Sequence, residues 1–175
     1  MVDKPPVMIM ESYALGSIAA IRSLGGAGYP VHACSWQPDA LGLKSNFTTH
    51  AVLHPRYETP EFIPWFRNYV RQNAIRMVIP SEGFMLGIRE QFEEFKHLLP
   101  LSGDANVVYK GFSKYDLFAE IEKAAATGSS CDQNLPPYLL IDDNTNDPEP
   151  SVIEALGLPV FLKADGCHGK TTVHG

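Results

Sequence analysis

Cysteine is scarce in this chain. Cys34, Cys131 and Cys167 are odd in number, far apart, and never spaced as Cys-x-x-Cys. They support neither a disulfide framework nor a zinc cluster, and a reducing, cytoplasmic setting is expected. Charge is sparse as well: 19% of residues are charged, the formal net charge is -6, and no basic block occurs. A chain of that kind is not built to hold DNA, RNA or an anionic lipid surface by electrostatics, so neither nucleic acid nor membrane is an expected partner. Long apolar runs are missing too. Residues 1–10 hold one lysine and a five-residue apolar run. That is short for a signal peptide and far short of a membrane span, so neither is expected. No internal repeat or low-complexity tract interrupts the 175 residues.

What is present is enough apolar material, 45% of residues, for a packed core. Residues 6–10 (PVMIM) read as a buried strand, and residues 15–24 follow with apolar positions at helical spacing. Gly25, Gly26 and Gly28 end that helix, and residues 31–36 (VHACSW) form the next strand. Strand, helix and strand in about thirty residues make a βαβ unit. Residues 51–53 read as a third strand and residues 76–80 as a fourth. Between them, residues 60–73 are amphipathic, with Thr59 as the expected cap and Pro60 in the first turn. A further helix is expected over residues 83–95 and a short edge strand over residues 98–101. The alternation predicts an α/β fold, a Rossmann-like parallel sheet over residues 1–108. Such sheets bind ligands beyond the carboxyl ends of their strands. Those ends fall at residues 11–16, 37–39 and 81–83.

The character changes after residue 108. Residues 113–126 (SKYDLFAEIEKAAA) read as a helix capped by Ser113, with Asp116 in its first turn. Strands are expected over residues 138–141 and 159–164, with a short helix over residues 151–156 between them. The second strand carries Lys163 and runs into a loop with Gly166, Gly169 and Lys170. Glycines let backbone N–H groups approach phosphate oxygens, and a lysine neutralises their charge, so this segment suits a polyphosphate. A lysine inside an apolar strand also needs an anionic partner to offset its desolvation.

Four other patterns compete with this reading. Residues 164–171 come close to the Walker A pattern, but only five residues follow Lys170, and Thr171, Thr172 and Val173 favour a strand over the helix a P-loop must open. His50 and His54 fall on one face of a strand with no third ligand, which disfavours a metal site. Asn46, Phe47 and Thr48 fit a glycosylation sequon that has no meaning without secretion. Gly25, Gly26 and Gly28 sit at the wrong end of their helix for a dinucleotide fingerprint.

In order and spacing, the pieces resemble the ATP-grasp superfamily, in its carbamoyl-phosphate synthase-like branch. They are a Rossmann-like first domain, a helix opening on Ser113 and Lys114, and a proline-marked strand at residues 135–141. A Leu-Gly-Leu-Pro-Val turn at residues 156–160 then leads to Lys163 and the loop Gly166–Lys170. The resemblance implies a pre-ATP-grasp domain followed by the opening part of an ATP-grasp domain over residues 109–175. It implies the N-terminal portion of a ligase that activates a carboxylate as an acyl phosphate for attack by an amine. ATP would contact Lys114, Lys163, Gly166, Gly169 and Lys170. Cys167 and His168 stand where family loops often have glycine. Mg2+ would bridge the phosphates, with ligands in late acidic motifs expected beyond Gly175, so this chain alone is expected to be inactive. Ser81 and Glu82 are the candidates for binding the small-molecule substrate. Glu11, Ser12 and Tyr13 are weaker ones, and Tyr13 as a packing residue is the plainer reading. A non-catalytic Rossmann-like module that binds a small molecule near Ser81 and Glu82 is the alternative.

Overall fold

A computed structural model describes residues 4–128, 135–141, 147–157 and 159–162. These fall into two compact units, one within Met1–Ala105 and one within Asn106–Gly175. The first holds a four-stranded, wholly parallel sheet with strand order β3-β2-β1-β4: β1 (Val7–Ile9), β2 (Val31–Ser35), β3 (His50–Leu53) and β4 (Met77–Ile79). Val7 pairs with Val31 on one side and with Met77 on the other. The two central strands, β1 and β2, are buried at every position. The edge strands β3 and β4 each bury only one residue, Val52 and Val78. Helices cover both faces of such a sheet, which is why a central strand reads as an unbroken apolar run such as VMI.

Helix α1 (Leu15–Gly26) supplies Ile21 to a core with Val7, Ile9, Val31 and Ala33, and Ala20 and Leu24 pack against it. Its chain reverses at Gly28, whose φ of 82° suits a residue without a Cβ. The Tyr29 N–H returns to the Leu24 carbonyl at 3.0 Å there. A second core is aromatic. Helix α2 (Phe62–Gln72) presents Phe62 and Phe66, 5.9 Å apart. Phe66 meets Phe84 of α3 (Glu82–Gly87) at 5.0 Å and Phe95 of α4 (Phe92–Phe95) at 4.8 Å, both edge to face. Side chains of this size dominate core energetics, and edge-to-face geometry adds to their burial.

Several local expectations need correction. Helix α2 opens at Phe62, not at Pro60. Thr59 does not cap it: its hydroxyl donates to the Arg56 carbonyl, so residues 59–61 form a turn ahead of the helix. The helix expected over residues 83–95 is split into α3, a 3-10 turn at Arg89–Gln91 and α4. Gly87 ends α3, where it passes so close to Tyr57 that an added Cβ would crowd the ring. In place of an edge strand over residues 98–101 there is a 3-10 turn, Lys96–Leu98. Its Leu98 and Leu99 are buried, so their apolar character serves the core rather than a sheet edge.

In the second unit, α5 (Ala105–Lys110) lies at the boundary and α6 (Lys114–Ala126) begins as expected. Ser113 Oγ accepts the Asp116 N–H at 3.0 Å. Helix α7 (Pro150–Ala155) matches the short helix. Residues 138–141 are not a strand: no described neighbour pairs with them, and Pro136 and Pro137 lack N–H donors. Tyr138 instead packs on α6, 4.9 Å from Phe118 and bonded through its hydroxyl to Glu122 at 2.9 Å. Residues 159–162 likewise show no strand, and the rest of that expected strand lies outside the described residues.

Candidate functional site

The strand order places a topological switch point between β1 and β4, because the chain moves outward from β1 on one side through β2 and β3 and returns to its other side as β4. The crevice beyond the carboxyl ends of those two strands is where open α/β sheets take ligands. The loop after β1 holds Glu11, Ser12 and Tyr13, and the loop after β4 holds Ser81 and Glu82. The ends of β2 and β3 add Trp36, Arg56 and Tyr57.

Glu11 is built into a strained backbone. Its φ is 49°, a region that a residue with a Cβ rarely adopts. The turn is held by the Ala14 N–H donating to the Glu11 carbonyl at 2.8 Å and the Ser12 N–H donating to the Cys34 carbonyl at 2.9 Å. The Glu11 carboxylate rests against Gly83 in the first turn of α3, so closely that any side chain there would collide with it and with Tyr57. An acidic group from the loop after β1 thus lies against the first turn of α3.

Tyr57 stands beside it. Its hydroxyl is buried without a hydrogen-bond partner of good geometry, although the Ser81 side chain is a near neighbour. Burial, followed by the charge of Glu11, raises its pKa far above the ordinary phenol value, so it stays a neutral O–H. Tyr13 is pushed up in the same way, by burial and then by Glu11. Trp36 lies edge to face with Tyr13 at 6.4 Å, and the Arg56 guanidinium lies over its ring at 4.0 Å. His54, at the end of β3, stacks near Tyr57, Phe62 and Trp65. Its Nδ1 contacts the Pro55 carbonyl at 2.7 Å, its Nε2 has no partner, and burial lowers its pKa. Two neutral phenols, one carboxylate and one aromatic-stacked guanidinium therefore gather beyond the carboxyl ends of the strands, with the Tyr57 hydroxyl itself buried. That set can bind a small polar molecule bearing both donors and acceptors.

The expected site residues fare differently. Ser81 caps α3, its Oγ accepting the Phe84 N–H at 3.1 Å, and Glu82 is the exposed first residue of that helix. Ser12 is fully buried, bonded weakly to the Ile9 carbonyl at 3.4 Å and covered by Gly42, so it supports the loop rather than facing a ligand. Tyr13 is 37% exposed and packs edge to face on Trp36. Lys114 is the exposed first residue of α6, in the other unit. Lys163, Gly166, Gly169 and Lys170 lie outside the described residues. Trp36, Arg56 and Tyr57 were missed from the sequence. The rule that carboxyl ends bind ligands, applied to the end of β3 as well as to the other strands, would have found the last two.

Among the described residues no group of three His, Cys, Asp or Glu is placed to hold a metal, so no side chain here is assigned to Mg2+. No described helix is long and apolar enough to cross a membrane. Comparison with protein-family models and with curated proteins finds no match.

Proposed function

We propose that the chain is the N-terminal portion of an ATP-dependent ligase of the ATP-grasp type. Its first unit holds one substrate at the switch-point crevice. Its second unit contributes Lys114, Lys163 and the loop Gly166–Lys170 to ATP. The observation that carries this reading is the β3-β2-β1-β4 sheet with Glu11, Tyr57 and Ser81 converging at its switch point, followed in sequence by a Ser113-capped helix opening on Lys114. In this reading Glu11 and Glu82 attract the amine of the acceptor. Mg2+, when bound, would neutralise the phosphate charge as it passes to the carboxylate. Leu139, Leu140, Phe161 and Leu162 are exposed apolar residues of the second unit, which fits a unit that buries little by itself.

A second reading is a non-catalytic Rossmann-like module that binds a small molecule. It is favoured by the crevice being built wholly from the first unit. Titration of the full chain with ATP and Mg2+, read by calorimetry, separates the two. The ligase reading expects measurable binding, weakened about tenfold by Lys114→Ala or Lys163→Ala, each of which removes a charged contact worth about 1.5–3 kcal/mol, with little or no hydrolysis. Binding indifferent to both substitutions, with metabolite protection confined to the Glu11 and Glu82 loops, would establish the module instead. Rapid Mg2+-dependent turnover abolished by Lys163→Ala would show that the chain is catalytically sufficient, contrary to the proposal.

A further inference from the structure

At the opposite end of the same sheet lies a groove unrelated to the switch-point crevice. It is an open groove of about 530 Å3 between α2, the start of β4 and the segment from α4 to Leu98. Its floor is apolar, with Val70, Ile75, Phe95 and Leu98, and its rim carries Arg67, Arg71, Arg76 and His97 against one carboxylate, Glu94.

The local sequence explains why the cations gather. Arg67 and Arg71 are four residues apart on α2 and share a face. The chain then reverses through Asn73 and Ala74, and Arg76 follows immediately at the mouth of β4. That reversal is forced: Ala74 has φ of 48°, and the Ile75 N–H returns to the Val70 carbonyl at 3.0 Å. Glycine or asparagine would make the turn with less strain. Glu94 accepts both Nε and Nη2 of Arg67, at 2.5 and 2.7 Å, and so neutralises that one cation. Arg71 reaches only the Asn68 side chain, at 3.3 Å. With Arg67 paired to Glu94, no carboxylate among the lining residues is left for Arg71 and Arg76, in a chain whose formal net charge is -6.

We propose that this groove binds an organic phosphate, its dianion held by Arg71 and Arg76 and its apolar part laid on Val70 and Ala74, which the buried Ile75, Phe95 and Leu98 support. The guanidinium fork matches phosphate oxygens in pairs, which a solvated lysine does not. The volume falls within the range of small-molecule sites, which favours a small ligand over a macromolecular one. Apolar floor and cationic rim together select an anion with a hydrophobic body over inorganic phosphate.

The test is NMR titration of the full chain with phenyl phosphate and, separately, with inorganic phosphate, following the arginine Nε–Hε signals. Phenyl phosphate should shift Arg71 and Arg76 saturably and bind at least about fivefold tighter than inorganic phosphate, since a partly buried ring contributes at least about 1 kcal/mol. Arg76→Gln should weaken it about tenfold, as expected for loss of one charge-assisted hydrogen bond. Arg71→Gln should do the same, which keeps the test valid if Arg76→Gln folds poorly. Arg22→Gln, an exposed cation on α1, should leave affinity unchanged. Absence of saturation, equal affinity for the two anions, or equal loss from Arg22→Gln would overturn the proposal.

Discussion

Helices α2 and α6 have similar lengths, 11 and 13 residues, and each carries aromatic and aliphatic side chains. In the first unit, α2 buries Phe62 and Phe66 completely. In the second, α6 buries nothing, and Tyr115 and Leu117 are each 43% exposed. The same contrast runs through both units. Buried apolar residues extend from Val7 to Leu99, whereas no described residue from Asn106 onward is buried. Propensity and capping are sufficient to define α6 locally, but only burial supplies the several kcal/mol that hold a tertiary structure against chain entropy. Stability in this protein should therefore be concentrated in the first unit, and the crevice built from its strand ends should inherit that rigidity.

The comparison is broken most forcefully at Phe66. This ring touches Phe62, Phe84 and Phe95, so it ties three helices together. Phe66→Ala should cost about 3–5 kcal/mol, the usual loss for a buried phenylalanine. The midpoint of urea unfolding followed by tryptophan fluorescence will show it, because Trp36 and Trp65 both lie in the first unit. A loss below about 1 kcal/mol, the scale of an ordinary surface change, would mean that the aromatic cluster is not the core of the first unit.

A smaller effect, of a different kind, sits on β2. His32 is buried, contacts the Tyr69 hydroxyl through Nδ1 at 2.8 Å, and has the His50 ring 4.3 Å away. Burial first, and the neighbouring His50 second, lower its pKa to about 4. A base that protonates more readily when unfolded contributes stability above the unfolded value, and that contribution is lost as pH falls from about 6.5 to about 4. Because His50 is exposed and screened, the loss should be about 2 kcal/mol rather than the full value of the shift. His54, also held low by burial, titrates in the same direction. Unfolding midpoints measured from pH 7 to pH 5 should therefore fall, and His32→Gln should flatten part of that slope. Identical slopes in the two proteins would remove His32 from the account.

Much of the first unit was legible from the sequence because its signals are local. An unbroken apolar run gave β1, the segment VHACSW gave β2 and helical spacing gave α1; in the second unit, the Ser113 hydroxyl three residues ahead of Asp116 gave the start of α6. The errors arose where tertiary contacts decide. Gly87 passes Tyr57, and nothing local to residues 83–95 shows that the helix must break there. Leu98 and Leu99 look like an edge strand until the core that takes them is in place. At the crevice, Glu11 and Ser81 could be named because they follow strands one and four. The contact of Glu11 with Gly83, and the burial of Tyr57 beside them, depend on which strands are neighbours, which sequence spacing does not state. The apolar residues 138–141 illustrate the opposite case: their composition suits a strand, but a strand needs a partner as well as a propensity.

The smallest expected effect sharpens the comparison best, because it tests an absence of coupling. Leu117→Ser removes an exposed leucine from α6 and should change the first unit's unfolding midpoint by no more than about 0.5 kcal/mol, the ordinary range for a surface substitution. Hydrogen exchange gives the matching view. The amides of Met8 and Ala33, in strands buried at every position, should exchange only through global unfolding, while those of α6 should exchange through much smaller openings. Phe66→Ala should then accelerate exchange at Met8 and Ala33 and leave α6 nearly unchanged. Should Leu117→Ser slow or speed exchange at Met8 as strongly as Phe66→Ala does, the two units would share one cooperative transition. The exposed apolar residues of α6 would then have to contribute to a core that their burial in this structure does not show.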